Sequence, residues 1–316
     1  MIARTAYAKG ARMTNPKTRP AAARRPSRPA APTPRRVPGW GLVAAAVVLV
    51  GGLALVFTRL GGDDQGAAGQ LEHVHGLGVD PADGALYAGS HYGLYRVPGD
   101  GTLEGPIADR VQDFMGFTAA GPGHFLASGH PGEGQDGPGA LGLIESTDAG
   151  KTWTSRSLAG QADFHALEYR HDTVYGFNGM TGEFMVSTDM LTWETRAAVP
   201  IADFAVSPTD ADTILATTEP GPALSTDGGR TFQPVDGAPV LLLVSWADDG
   251  TLVGLDPTGN VYVGSDGPTS LTKTGTLGGQ PEALAAENKT TIYAAADDGL
   301  TASTDGGKTF TPYPAN

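Results

Sequence analysis

Apolar positions along the chain follow two patterns. One is a single unbroken run. Gly39-Trp40-Gly41-Leu42 through Val56-Phe57 is 19 residues without a charge. As a helix it is about 28 Å long, close to the hydrocarbon thickness of a bilayer. It predicts one transmembrane helix over 39–60, with Trp40 at an interface. After residue 70 the apolar runs become short and regular. Near the C-terminus they read Glu282-Ala283-Leu284-Ala285, Thr291-Ile292-Tyr293-Ala294, Leu300-Thr301-Ala302-Ser303 and Thr309-Phe310-Thr311, separated by turn residues. Each predicts a strand, so a unit of roughly 40 residues carries four.

The unit repeats. Ser146-Thr147-Asp148-Ala149-Gly150-Lys151-Thr152-Trp153 recurs as Ser225-Thr226-Asp227-Gly228-Gly229-Arg230-Thr231-Phe232 and as Ser303-Thr304-Asp305-Gly306-Gly307-Lys308-Thr309-Phe310. A copy one residue shorter runs from Ser187-Thr188-Asp189 to Thr192-Trp193, and a decayed one lies at Val263-Gly264-Ser265-Asp266-Gly267. The serines are 41, 38 and 78 residues apart, so the period is close to 39. First strands are expected near His75, Met115, His165, Phe204, Leu243 and Ala283. The fold class is therefore all-β, a β-propeller of about six four-stranded blades over 71–316.

Each octapeptide reads as a hairpin turn. Ser and Asp oxygens accept backbone N–H groups, Gly supplies positive φ, and the closing aromatic packs beneath the turn. The structural set is Ser146, Asp148, Gly150, Trp153; Ser187, Asp189, Trp193; Ser225, Asp227, Gly229, Phe232; and Ser303, Asp305, Gly307, Phe310. A calcium site is disfavoured, because one carboxylate per turn around a ring does not converge on an ion.

These octapeptides are similar to the Asp-box, or bacterial neuraminidase repeat, found in sialidases, xyloglucanases, sortilin-type receptors and photosystem assembly factors. Residues 71–316 also resemble bacterial membrane-anchored proteins catalogued as a glycosylhydrolase-like family. His73-Val74-His75-Gly76-Leu77-Gly78, Asp113-Phe114-Met115-Gly116-Phe117, Ser128-Gly129-His130-Pro131-Gly132 and Leu141-Gly142-Leu143-Ile144 carry that resemblance. It implies a propeller and, by name, glycoside hydrolysis.

Charge divides the chain. Residues 1–38 hold ten Lys/Arg and no acid; residues 61–316 hold ten Lys/Arg and all 34 Asp/Glu. The tail at 1–38 is Pro-, Ala- and Arg-rich and is expected to be disordered. With 61–70 as linker, the positive-inside rule gives a cytoplasmic N-terminus and an extracytoplasmic propeller. A cleaved signal peptide is the alternative, but the apolar run is long and no clear Ala-x-Ala site follows. The acidic domain lacks the footprint for nucleic acid. There is no Cys, which excludes disulfides, thiolate metal sites and a cysteine nucleophile.

Three functions compete for the channel mouth. The leading one is a binding or assembly module for a glycan or an envelope protein, with Met115, His130 and His165 at the mouth. The second is a two-carboxylate glycosidase using Asp113, Asp163 and Asp203, each of which precedes Phe at a first-strand start. Those aspartates read more simply as backbone-bonded strand starts. Sialidase chemistry needs an arginine cluster, and only six arginines lie in 61–316. The third is an envelope metal site for copper or zinc. His73 and His75 share one strand face and align with Asp113-x-Met115 and Asp163-x-His165. Histidines that only pack and bond to backbone are the structural alternative.

Overall fold

The computed structural model describes residues 71, 73–99, 102–132, 134–265, 267–297 and 299–313. The basic tail, the transmembrane helix expected over 39–60 and the linker 61–70 lie outside the described residues. Among the described residues no helix is long and apolar enough to cross a membrane.

Six antiparallel sheets form in chain order. Blade 1 is β1 (Val74–Val79), β2 (Leu86–Ser90) and β3 (Gly93–Val97). Blade 2 is β4 (Asp113–Gly121), β5 (His124–His130), β6 (Leu143–Ser146) and β7 (Thr154–Ser157). Blade 3 is β8 (Phe164–Arg170), β9 (Thr173–Asn178), β10 (Glu183–Ser187) and β11 (Glu194–Ala198). Blade 4 is β12 (Asp203–Val206), β13 (Ile214–Thr218), β14 (Gly221–Ser225) and β15 (Gln233–Pro234). Blade 5 is β16 (Leu243–Trp246), β17 (Leu252–Leu255), β18 (Asn260–Gly264) and β19 (Thr272–Thr276). Blade 6 is β20 (Pro281–Ala286), β21 (Ile292–Ala296), β22 (Gly299–Ser303) and β23 (Thr311–Pro312).

The first strands begin within two residues of the six expected positions. Blade 1 departs from the four-strand expectation. Among the described residues its outer edge is only a bridge between Arg96 and Glu104. Pro98, directly after β3, has no N–H to give a ladder.

Burial explains the strand order. Second strands such as Leu86–Ser90 and Ile214–Thr218 are buried throughout, because neighbouring blades cover both faces. Outer strands such as Thr154–Ser157 and Glu194–Ala198 are largely exposed and polar, which blunts the sheet edge. The core is accordingly divided among the seams between blades. Phe177 and Phe184 meet Phe204 and Ile214 between blades 3 and 4, and Val253 and Val261 meet Ile292 and Ala294 between blades 5 and 6. The seam between blades 4 and 5 has a small buried cluster among the described residues: Ala205, Leu215, Val244 and Leu252.

Each inner strand lies beside the inner strands of the blades before and after it, and β20 lies beside β1, so the ring closes. Blade 6 draws all its strands from the C-terminal end. Leu71 packs on the blade 6–blade 1 cluster.

Side chains also staple each seam to a backbone N–H. Gly123 donates to Asp80 Oδ1 (3.0 Å) and Phe164 to Ser128 Oγ (2.9 Å). Val206 donates to Glu168 Oε2 (2.9 Å) and Val244 to Asp203 Oδ2 (2.8 Å). Ala286 donates to Ser245 Oγ (3.0 Å), and Val74 to Glu282 Oε2 (3.1 Å) across the closing seam.

The repeated turns join third and fourth strands, at the end of the ring opposite the inner-strand starts. In three of them the geometry is the same. Gly150, Gly229 and Gly307 donate N–H to Ser146, Ser225 and Ser303 Oγ at 2.9, 2.8 and 2.9 Å. Each Ser hydroxyl donates to its Asp, and that Asp accepts from the following Thr N–H and hydroxyl. The Thr231 amide, then its hydroxyl, hold the Asp227 carboxyl down to about 2. These glycines have φ of 84°, 85° and 77°, and a Cβ there would strike Leu94, Phe184 and Val261 of the preceding blade. Trp153 packs on Phe114 and Trp193 stacks on Phe164.

Candidate functional site

The inner strands all start at one end of the channel, and the turns between second and third strands return to that end. Four inner strands carry an irregularity at the same point. Ladder pairing passes from Val74 to Gly76, Phe114 to Gly116, Phe164 to Ala166 and Pro281 to Ala283, while the partner strand advances by a single residue. The extra residues are His75, Met115, His165 and Glu282. A β-bulge leaves its extra residue outside the ladder and re-aims its side chain, and bulges cluster beside functional sites. The inner strands β12 and β16 pair without a shift.

Around these bulges lie two polar groups. In the first, His75 Nε2 is 3.3 Å from His91 Nε2, and His91 Nδ1 is 2.7 Å from Asp113 Oδ1. The two rings meet edge to face with centroids 4.6 Å apart. Ligand atoms from His75, His91 and Asp113 all lie within 4.8 Å of one another. Burial drives the His75 pKa down to about 4, His91 adds to the effect, and Asp113 opposes it. A neutral imidazole results at neutral pH. His73 stands edge-on to His91, 5.4 Å between centroids, with Nδ1 3.7 Å from Glu282 Oε1.

The second group centres on Asp163, whose side chain is only 6% exposed. Its Oδ2 is 2.8 Å from His165 Nε2 and 3.3 Å from His130 Nε2. Its Oδ1 is buried with no hydrogen-bond partner among the described residues. His130 Nδ1 is 2.6 Å from the Gly139 carbonyl, which ties the long Gly/Pro loop to the mouth. His130 pairs with Asp113 across the β4–β5 ladder, so the two groups adjoin.

The structure brings His75, His91 and Asp113 together and sets His165, Asp163 and His130 beside them. Met115 occupies the matching bulge between His75 and His165. It does not gather His73, His75 and His165 at one point: His73 turns toward Glu282 and His165 toward Asp163. Asp203 departs from the expected trio of carboxylates. Oδ2 accepts from Val244 N and Oδ1 from Phe204 N at 2.9 Å. It is only partly buried, yet desolvation raises its pKa to about 7 against those two bonds. It is the backbone-bonded strand start. His91 went unassigned in the sequence because it sits in the β2–β3 turn, outside the strand-start alignment. The fact that such turns return to the mouth would have flagged it. His124 and His171 belong elsewhere, on Glu145 Oε1 and the Ser207 carbonyl.

No family model and no curated protein sequence matches the chain. Its likeness is to solved β-propellers. A GH74 enzyme from Niastella koreensis superposes with TM-score 0.54 and 18% identity, covering 78% of this chain and 46% of that one. The chain thus spans just under half the length of that enzyme. A gluconolactonase from Xanthomonas campestris gives TM-score 0.55 and 13% identity, covering 74% and 86%. YCF48 bound to a D1 peptide gives 0.50 and 16%, covering 78% and 84%. At these identities the likeness shows the fold alone: an all-β propeller of six blades.

Proposed function

We propose that the protein is a membrane-anchored, extracytoplasmic binding propeller that holds its ligand at the histidine-lined channel mouth, without catalysing a reaction. The observation that carries this reading is the run of bulged residues His75, Met115 and His165 on three consecutive blades. Bulges at one level turn three ligand-competent side chains out of the ladder, next to the fourth bulge at Glu282 on the blade that closes the ring. The anchoring follows from the basic, apolar, acidic order of 1–38, 39–60 and 61–316. The turn chemistry at Ser146, Ser225 and Ser303 supports membership of the Asp-box propellers. That group spans enzymes and binding proteins, so fold alone does not assign activity.

Glycoside hydrolysis is the second reading, favoured by the GH74 neighbour. Two carboxylates must flank the sugar bond, one of them able to donate a proton. Here Asp113 is engaged by His91, Asp163 by His130 and His165, and Asp203 by two amides. The test is incubation with xyloglucan and a glycan panel, scored for new reducing ends, alongside equilibrium binding to glycan and peptide arrays. The expected result is no turnover, with binding weakened by His165→Ala or Met115→Ala. Turnover abolished by Asp113→Asn or Asp163→Asn would overturn the non-catalytic reading.

A further inference from the structure

The geometry points to a transition-metal site at the channel mouth, with His75 Nε2 and His91 Nε2 as ligands and Asp113 as the group that orients His91. This deepens the binding reading above, and rests on it, by naming the ligand class: a late first-row ion such as copper or zinc.

The first argument is distance. Imidazole nitrogens bind zinc at about 2.0–2.1 Å, and a tetrahedral angle then separates two of them by about 3.3–3.4 Å. The two Nε2 atoms already stand 3.3 Å apart. The second is tautomer. His91 Nδ1 lies on a carboxylate oxygen, so it carries the proton and donates it. That leaves the lone pair of His91 on Nε2, facing His75. A carboxylate behind a ligating imidazole is a recurrent arrangement of metal sites, because it fixes the ring and raises its basicity. In the metal-free state, with the His91 proton on Nδ1, the 3.3 Å Nε2–Nε2 contact takes its proton from His75. Binding needs only that neutral His75 keep its proton on Nδ1 instead.

Position is the third argument. His75 is the extra residue of a bulge, so its side chain is released from the strand's regular alternation. His91 comes from the adjoining turn and Asp113 from the next blade, giving the site two rigid elements and a seam. With no Cys in the chain, imidazole is the softest strong donor available here, alongside the thioether of Met115 on the neighbouring bulge. Imidazole suits copper and zinc, and copper(II) outranks zinc in intrinsic affinity. Copper is therefore expected to bind more tightly.

The experiment uses the full-length protein, stripped with a chelator and given copper(II) or zinc(II) separately. Bound metal is counted by mass spectrometry after desalting, and affinity is measured by chelator competition. The wild type should retain one ion per chain, with a nitrogen-coupled copper(II) paramagnetic resonance signal. His91→Ala and the double variant His75→Ala/His91→Ala should lose it, while His124→Ala/His171→Ala should keep it. Asp113→Asn should keep the stoichiometry and bind about 10- to 100-fold more weakly. His91 lies in a turn and is only partly buried, so its single variant guards against misfolding of the double one. No retained ion in the wild type, or equal retention in His91→Ala, would overturn the metal site. Neither result bears on the non-catalytic reading, which turnover on a glycan overturns.

Discussion

Replacing the turn serine tests whether the repeated octapeptide stabilises the ring through one buried amide. Ser225 is fully buried, and its Oγ accepts the buried Gly229 N–H at 2.8 Å. In Ser225→Ala that buried amide loses its acceptor. An unsatisfied buried N–H costs about 1–3 kcal/mol, so a loss near 2 kcal/mol is expected. The partner Asp227 faces solvent and can be rehydrated, so nothing is added for it. Ser146→Ala and Ser303→Ala should match, because Gly150 and Gly307 make the same bond at 2.9 Å. The short copy is the internal control. Ser187 is equally buried and its hydroxyl reaches Asp189 at 3.1 Å, but Met190 replaces the glycine and the turn amides there go to Asp189 instead. Ser187→Ala should therefore cost under about 1 kcal/mol. Urea unfolding reads the difference as a fall in midpoint at constant slope. In a domain this size it corresponds to roughly 2–4 °C of melting temperature per kcal/mol. Equal losses at Ser187 and Ser225 would refute the reasoning and assign the turn's worth to the Ser–Asp bond.

Two further perturbations address the ring itself. The Asp203 carboxyl titrates at about 7 when folded, above its unfolded value. The folded state therefore holds the proton more tightly; stability is full below about pH 4 and falls as pH rises toward about 7. At about 1.4 kcal/mol per unit the loss is at most about 4 kcal/mol, less what channel water recovers. Glu168, also pushed up by burial, adds a slope of the same sign. Asp203→Asn should flatten the decline measured by urea midpoints across that range, and an unchanged slope would count against the assignment. Gly116→Ala should cost about 1–3 kcal/mol, because its Cβ would meet the Phe164 carbonyl oxygen on the adjacent inner strand. Gly99→Ala, with open space around it, should be neutral on the same measurement.

Much of the architecture was legible before any coordinates. The serine spacing carried the period, and apolar runs placed each inner strand to within two residues, because both reflect local rules of turn and burial. Ring closure was not legible, because four strand-like runs in blade 6 do not exclude a strand donated from the start of the domain. The bulges were not. Period-two alternation over strands this short cannot reveal one extra residue, so His75 and His165 could be placed on a strand but not aimed. His91 depends on a turn reaching across to a neighbouring strand, which no local pattern encodes. The seam staples Ser128, Glu168 and Ser245 look like ordinary polar strand residues until the next blade's amide stands opposite them.

Asp163 and Asp203 show how one position serves two ends. Both precede Phe at an inner-strand start. In blade 4 the ladder from Asp203 is regular, and its carboxylate accepts Val244 N across a seam whose apolar cluster is small. There the hydrogen bond supplements burial that small side chains such as Ala205 provide sparingly. In blade 3 the bulge at His165 displaces the ladder, Ser128 takes over as acceptor for Phe164 N, and Asp163 is released to face two imidazoles. The same exchange operates at the closing seam. Glu282, itself a bulged residue, gives one oxygen to Val74 N and turns the other toward His73. The mouth thus borders the one seam joining residues 208 positions apart. An ion held by His75 and His91 would restrain β1 beside that seam, so metal binding and resistance to ring opening should rise together. A melting temperature that increases with copper in the wild type and not in His91→Ala would establish the coupling; an unchanged one would confine the metal to the mouth.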